Sequence, residues 1–480
     1  MSTSRQLASN ALWKYLELVS VSGIQLLSTF ILARFLTPAD YGIIGMVVVF
    51  TTLANVIIES GFTQAIIREK DVTRIDYSTI LYFNILISII LYVVLYLASN
   101  YIALFYKEQS LSNVCKITFL ILPINAFAIV QYTKLQREVK FKKISLISIA
   151  SILLSSIISI YIAYKCKNVW ALVLQNILST SFKTLFLWIT TDFMPVLKFS
   201  KESFNKYFKF SKNLLFSSLI GTIFNNIYTL VIGRCYSATD LGFYSQADRI
   251  KNLASQTSTQ VIQSVSYPIL SKINNQSSDI KNAYKEIISI ALLFVGFLMS
   301  LLIGCAQNLF ELLMGNAIWR EAGIFFILIG INGILYPLHC VNQNILMVKG
   351  DSQTVLGLEI ARRIIMIIIL LVTLNFNIYI FVSGLTFYSI VLLFLNLHYC
   401  GKPINYTIRE QLNDILPLIL RFVIIILTTS SVGYLLSDFT LIVKIIFSII
   451  AGSTIGIILF RKQRCFRIII DLSKEIIVNK

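Results

Sequence analysis

The stretch Ala33 to Gly42 reads ARFLTPADYG, and Gly233 to Gly242 reads GRCYSATDLG. Arg34, Asp40 and Gly42 thus return as Arg234, Asp240 and Gly242, each 200 residues later. Each copy follows one long apolar segment and precedes another of helical length. A match held in register over that distance marks an internal structural repeat, so the chain is expected to fold as two related halves.

Composition says where those halves reside. Of 480 residues, 56% are hydrophobic and only 13% are charged, against about 25% charged in a soluble domain. Apolar segments of roughly 20 residues match helices crossing about 30 Å of hydrocarbon. Only helices or closed barrels satisfy their backbone in lipid, and these runs are too continuous for barrel strands, which alternate over about 10 residues. The fold class is therefore all-α, a polytopic membrane protein. Fourteen spans are expected, at 12–36, 42–67, 78–100, 114–135, 144–164, 168–190, 212–234, 243–270, 286–306, 321–347, 354–374, 377–399, 413–436 and 440–461.

A net charge of +18 would suggest nucleic acid in a soluble chain. Here the charge falls between spans, in alternate loops: Arg68, Lys70 and Arg74; Lys134, Arg137, Lys140, Lys142 and Lys143; Lys198, Lys201, Lys206, Lys209 and Lys212; Lys272, Lys281 and Lys285; then the tail with Arg461, Lys462, Arg464 and Arg467. The opposite loops carry chiefly Lys107, Lys165, Lys167 and Arg320. The positive-inside rule then puts both termini in the cytoplasm and removes any need for nucleic acid. The first apolar segment, from Leu12, is too long for a signal peptide and is kept as a span. Seven scattered cysteines, Cys465 the last, predict neither metal nor disulfide. No GxxxxGK[ST] phosphate loop occurs, no cofactor is expected, and His339 and His398 have no evident catalytic partner.

Six spans separate the repeat copies, so both halves enter the membrane in one orientation, a parallel repeat. This divides the chain into an N-lobe at 1–200, a C-lobe at 201–400 and, at 401–480, two accessory helices with a basic tail. The boundary falls in the hydrophilic link from Asp192 to Lys212. Repeats of this kind predict a transporter with its substrate site between the halves. One span is unusual. From Tyr244 to Pro268 its apolar residues form only a narrow stripe, Ile250, Leu253, Ala254, Val261 and Val265. Such a helix either lines a hydrated cavity or lies on a polar surface. Its counterpart, Tyr41 to Ile67, carries Asn55, Glu59 and Gln64.

Charges inside spans each cost about 2.5–3.5 kcal/mol at a helix centre and mark candidate sites. The second half offers Asp248, Arg249 and Lys251 on the polar span, and Glu359, Arg362 and Arg363 on another. Four cations in lipid would cost on the order of 10 kcal/mol; in a hydrated cavity they could bind an anion such as a pyrophosphate. The structural alternative has Arg362 reaching the cytoplasmic edge, Asp248 partnering Lys251 or Asn252, and Glu359 pairing with Arg363 at i, i+4. Asn225 and Asn226 add polar contacts to substrate or to neighbouring helices. Glu17, Glu59 and Asp248 are candidates to exchange protons or sodium, with a helix-end pair to Lys14 the other reading of Glu17. Arg34 with Asp40, and Arg234 with Asp240, are expected to cap the outer hairpins, with Gly42 and Gly242 relieving close packing.

The motifs LARFLTPADYGIIG, SGFTQAIIREKD, LQREVKFKKIS, NVWALVLQ with Pro195 to Ser200, DLGFYSQADRIKNL, Pro268 with Ser271, and KGD at Lys349 to Asp351 run over most of the chain. Together they resemble Wzx-type bacterial polysaccharide-lipid flippases, in the colanic-acid-exporter-like branch of the superfamily that also holds multidrug antiporters. The resemblance implies two six-helix lobes plus two accessory spans, and alternating access in the inner membrane. It also implies an undecaprenyl-pyrophosphate-linked oligosaccharide as substrate, and a polysaccharide polymerase and chain-length proteins as partners. A cationic cavity is the implied site, and Arg249, Lys251, Arg362 and Arg363 suit it by chemistry. Where many members carry a proline in the eighth span, this chain reads Leu253-Ala254-Ser255, which removes the residue that would kink the helix. The competing readings are a cation-coupled multidrug antiporter on the same fold and a membrane enzyme of polysaccharide assembly.

Overall fold

The computed structural model describes residues 3–273, 277–461, 463 and 466. Lys462, Arg464, Cys465 and Arg467 of the expected tail lie outside the described residues, as do the side chains of Val261 and Val265. Among the described residues all regular structure is helical. The chain forms two compact units, Met1–Ser245 and Gln246–Lys480.

The first unit comprises α1 (Thr3–Ala33), α2 (Pro38–Glu59), α3 (Phe62–Arg68), α4 (Arg74–Tyr106), α5 (Leu111–Thr118), α6 (Ile121–Arg137), α7 (Phe141–Cys166), α8 (Trp170–Thr190) and α9 (Lys201–Cys235), and α10 (Ala238–Asn252) leads out of it. Its solvent is legible on α4. Asn84, Ser88 and Ser99 are buried, while Leu86, Ile90, Val93, Leu97 and Leu104 face outward. A water-soluble helix would turn the other way, and an apolar exterior of this extent belongs against lipid. On α7 the buried residues include Ser145, Ser151, Ser155 and Ser159. Small side chains let neighbouring helices approach where the hydrophobic effect cannot drive them together. The Ser145 hydroxyl reaches the Trp13 carbonyl on α1 at 2.8 Å, and that of Ser159 reaches the Ala171 carbonyl on α8 at 2.7 Å.

The repeated motif is a pair of capped helix starts. Thr37 accepts from the Asp40 N–H at 3.4 Å, and the Asp40 carboxylate accepts from the Thr37 N–H at 2.8 Å. Ser237 and Asp240 make the same reciprocal pair at 3.0 and 3.2 Å at the start of α10. These are capping boxes, with aspartate in the usual glutamate position. The expected arginine partners are not part of either box: Arg34 is exposed, and Arg234 lies over the Phe105 ring at 5.2 Å. A hydroxyl three residues upstream reaches the aspartate without crossing open space, so it takes the carboxylate first. The glycines pack as expected, and reciprocally. A Cβ on Gly42 would fall on the Ala238 carbonyl, and one on Gly242 would fall on the Pro38 carbonyl.

The link between the halves is shorter than the sequence suggests. Helix α9 begins at Lys201, ahead of the expected span at 212. Ser200 caps it, accepting from the Ser203 N–H at 3.2 Å. Tyr207 then enters a core with Phe62, Tyr77 and Ile80, against which Phe204 and Phe208 pack. A hydrophilic stretch with aromatics at helical spacing can fold as an amphipathic helix extension, whatever its average polarity.

The second unit contains α11 (Ser258–Lys272), α12 (Ser277–Gly304), α13 (Ala306–Met314), α14 (Arg320–Val348), α15 (Ser352–Thr373), α16 (Ile378–Gly401), α17 (Ile408–Leu435) and α18 (Leu441–Phe460). Helices α10 and α11 are joined by a π-helical turn, Leu253–Thr257. The irregularity falls where proline is absent. Ser255 donates to the Lys251 carbonyl at 2.8 Å and Thr259 to the Ser255 carbonyl at 2.6 Å. Such back-bonding hydroxyls bend helices, and π-bulges are a recognised cause of kinks. Helix-length segments stand at all fourteen expected positions, and twelve are long and apolar enough to cross a membrane by length and composition. The two that fall short of that criterion, Ala238–Lys272 and α15, carry Arg249 with Lys251 and Arg362 with Arg363. This is a multi-pass membrane protein.

Candidate functional site

Each unit holds its own polar cluster. In the first, five helices contribute. Glu17 on α1 is buried, accepts from Lys14 at 2.9 Å and from Ser148 on α7 at 2.8 Å. Asn125 on α6 donates to Asn55 on α2 at 3.0 Å. Lys183 on α8 lies over the Tyr132 ring at 4.8 Å and close enough to Lys14, Glu17 and Glu59 to feel their charges. Lys183 was not among the residues expected from the sequence. It is the single charge in α8, and segment-wide hydropathy hides it.

The two carboxylates of this cluster differ. Glu17 is held by two donors and forms the helix-end pair. Glu59 is exposed, and among the described residues no side chain bonds it. It is the last residue of α2, where the helix breaks inside one 31-residue span. Ser60 and Gly61 both adopt positive φ there, 45° and 73°, and a Cβ on Gly61 would stand 3.1 Å from that of Leu214. Negative charge at a helix C-terminus is disfavoured by the helix dipole. Broken transmembrane helices often use such ends to bind cations. On α9, Asn226 donates to its own helix at Thr222 O, 2.8 Å, while Asn225 is exposed one turn from Gly221, which faces open space.

In the second unit the expected cations stand on α10 and α15. Lys251 is buried and pairs with Asp248 at 2.6 Å, and Asp248 also accepts from Asn252 at 2.8 Å. The local structural alternative for Asp248 is thus the observed one. Arg249 and Arg363 are half-buried. Glu359 pairs with Arg362 at 2.8 Å, not with Arg363 as the i, i+4 spacing suggested. Asn396 on α16 also accepts from Arg362, at 3.0 Å. The Arg362 Nε is buried without an acceptor among the described residues, so the guanidinium retains a donor.

That bond fixes a chain of roles. Asn396 presents Oδ1 to Arg362, so its Nδ2 donates to His339 Nδ1 at 2.9 Å. His339 Nε2 then carries the proton and donates to Ser389 Oγ at 2.9 Å. The sequence left His339 without a partner because its partners lie 50 and 57 residues away. Replacing His339 with alanine leaves the buried Asn396 amide without its acceptor and is expected to cost about 1–3 kcal/mol of stability. A lower thermal midpoint of the purified protein would register it. An unchanged midpoint would show that the ring does not hold Asn396.

A model of the family described as "Polysaccharide biosynthesis protein" matches residues 31–323, more than half of the chain. The chain belongs to the polysaccharide biosynthesis protein family. Among curated members of like sequence, this family protein is 27% identical to the teichuronic acid biosynthesis protein TuaB of Bacillus subtilis strain 168, over 73% of each chain. It is 23% identical to the lipopolysaccharide biosynthesis protein WzxC of Escherichia coli K12, over 73% of this chain and 71% of that one. The resemblance read from the motifs is thereby borne out. Of solved structures, the lipid II flippase MurJ superposes with a TM-score of 0.69 at 16% identity, covering 94% of this chain and 99% of that one. An inward-facing multidrug resistance MATE transporter superposes with 0.58 at 14% identity, covering 82% and 94%. At these identities the polysaccharide biosynthesis protein shares their fold, and its chemistry must be argued from its own residues.

Proposed function

We propose that this chain is a flippase, not an enzyme. It moves a polyprenyl-pyrophosphate-linked oligosaccharide from the cytoplasmic to the outer leaflet of a bacterial inner membrane, with both termini cytoplasmic. The cargo is a repeat unit of O-antigen, capsule or exopolysaccharide, which a polymerase and chain-length proteins then assemble. The observation that carries this reading is a member of the polysaccharide biosynthesis family that places two cations inside each of Ala238–Lys272 and α15. A sugar headgroup cannot cross hydrocarbon unaided, whereas a polyprenyl tail is at home in it. Both helices cross the membrane facing polar space, where Arg249 and Arg363 engage the pyrophosphate and Arg362 adds its charge. Asn225 offers its amide to sugar hydroxyls. Lys251 and Asp248 hold each other and shape the helix.

Alternating access is coupled to an ion gradient through Glu59. Its position at a helix break, with Lys183 nearby, supports that role over Glu17. Glu59→Gln is expected to remove the gradient dependence of translocation in proteoliposomes while leaving folded yield intact. Glu17→Gln is expected to lower stability by about 1 kcal/mol, since one member of its pair with Lys14 is half exposed. Full gradient dependence in Glu59→Gln would return that carboxylate to a structural role.

The deciding experiment measures which leaflet holds the lipid-linked oligosaccharide in a deletion strain, with and without the gene restored. Cytoplasmic accumulation relieved by restoration establishes flipping. Normal translocation without polymer would point to an assembly enzyme. An intact polysaccharide with altered dye efflux would favour the multidrug antiporter, whose substrates the basic helices of the second unit would repel.

A further inference from the structure

The accessory helices are not needed to build the repeat, yet they enclose something. A cavity of about 420 Å³ lies where α12 ends, α14 begins, α17 ends and α18 begins. Its walls are polar for a membrane helix bundle: Gln307, Asn308, Ser430, Tyr434, Arg320 and Lys444. The volume is that of a small-ligand site, within the usual range of about 300–1,000 Å³.

Its charge comes from one residue. Arg320 donates to Glu311 at 2.5 Å, so that cation is already compensated. Lys444 has no ion pair among the described residues. It stands in the first turn of α18, whose Thr440 cap makes no side-chain hydrogen bond. The positive end of a helix repels a cation, so the position stabilises this lysine only if an anion is supplied. Close packing fixes the frame around it. A Cβ on Gly304 would fall on Thr429, and one on Gly433 would stand 3.2 Å from Asn308 Nδ2.

We infer that this cavity is a binding site for an anionic saccharide, a uronic acid whose carboxylate meets Lys444. Gln307, Asn308 and Ser430 supply donors and acceptors for ring hydroxyls. Tyr434, 83% exposed, offers its face to the apolar side of a pyranose. A lysine also meets phosphate as a point charge, so a lipid headgroup is the competing occupant that the test separates. On the topology proposed above, the site opens to the outer face, where it would hold sugar already delivered. Binding of a free sugar does not depend on that topology or on transport, so it can fail or succeed separately from the flippase reading.

The test titrates cellobiouronic acid, with cellobiose as the neutral control, into the full chain in phosphatidylcholine nanodiscs by calorimetry. Saturable binding of the uronate, at least about tenfold tighter than cellobiose, is expected, with loss of about tenfold in Lys444→Gln and retention in Lys444→Arg. Tyr434→Ala, at an exposed position, should weaken both sugars together. Equal affinity for the two sugars, or unchanged binding in Lys444→Gln, overturns the proposal. So does loss of uronate binding when the nanodisc lipid is phosphatidylglycerol, which would make the cavity a lipid headgroup site.

Discussion

Arg249→Ala combined with Arg363→Ala is expected to abolish polymer export while the protein continues to accumulate in the membrane. Membrane yield measured beside export separates function from folding here. A charge-assisted hydrogen bond to a pyrophosphate contributes about 1.5–3 kcal/mol, so each single variant should lose roughly 10- to 100-fold in transport rate. The double variant should fall by the product if the two arginines act on separate oxygens. Lysine at both positions keeps the charge but loses the planar fork, and should recover only part of the rate. Lys251→Ala and Arg362→Ala each leave a carboxylate, Asp248 or Glu359, without its cation. Those variants should lose folded protein as well as transport. Leaflet assays beside membrane yield check all of this, and full export by the double variant would remove the cationic site.

How far the residues disclosed this in advance depends on the kind of signal. Helix positions were legible because a bilayer demands long apolar runs, and twelve of the fourteen expected segments are helices long and apolar enough to cross one. The repeat was legible because three residues kept their spacing. Its meaning was only half legible. Thr37-x-x-Asp40 and Ser237-x-x-Asp240 already spell a capping box, yet the nearby arginines draw the eye because opposite charges are expected to meet. The polar cluster of the first unit was harder. Lys183 disappears in a segment whose average is apolar, and no spacing links it to Glu59 on α2. His339 is the clearest case of information absent from the local sequence, since α14, α15 and α16 each contribute part of one hydrogen-bonded chain. The π-helical turn also replaced an expectation built on proline alone. Hydroxyls that bond back to their own helix can do the same work.

The repeat's glycines lead to the second large effect. Gly42→Ala and Gly242→Ala should each cost about 1–3 kcal/mol, the usual penalty of overpacking, and each should lower the yield of folded protein. The reason is that the obstacle is backbone. The added methyl at 42 meets the Ala238 carbonyl, and that at 242 meets the Pro38 carbonyl, so no rotamer change can relieve the contact and α2 must draw away from α10. Because the contact is reciprocal, the two substitutions strain the same gap. The separation forced by the first makes room for the second, and the double variant should cost distinctly less than the sum of the singles. Gly23→Ala supplies the control: nothing lies within 4 Å of a Cβ there, and alanine in a helix favours folding by roughly 0.5–1 kcal/mol. Thermal midpoints of the four purified variants, read against the parent, give the whole cycle. Additive losses would mean that the two glycines answer to separate contacts, and a neutral Gly42→Ala would mean that the helices do not touch where the repeat brings them together.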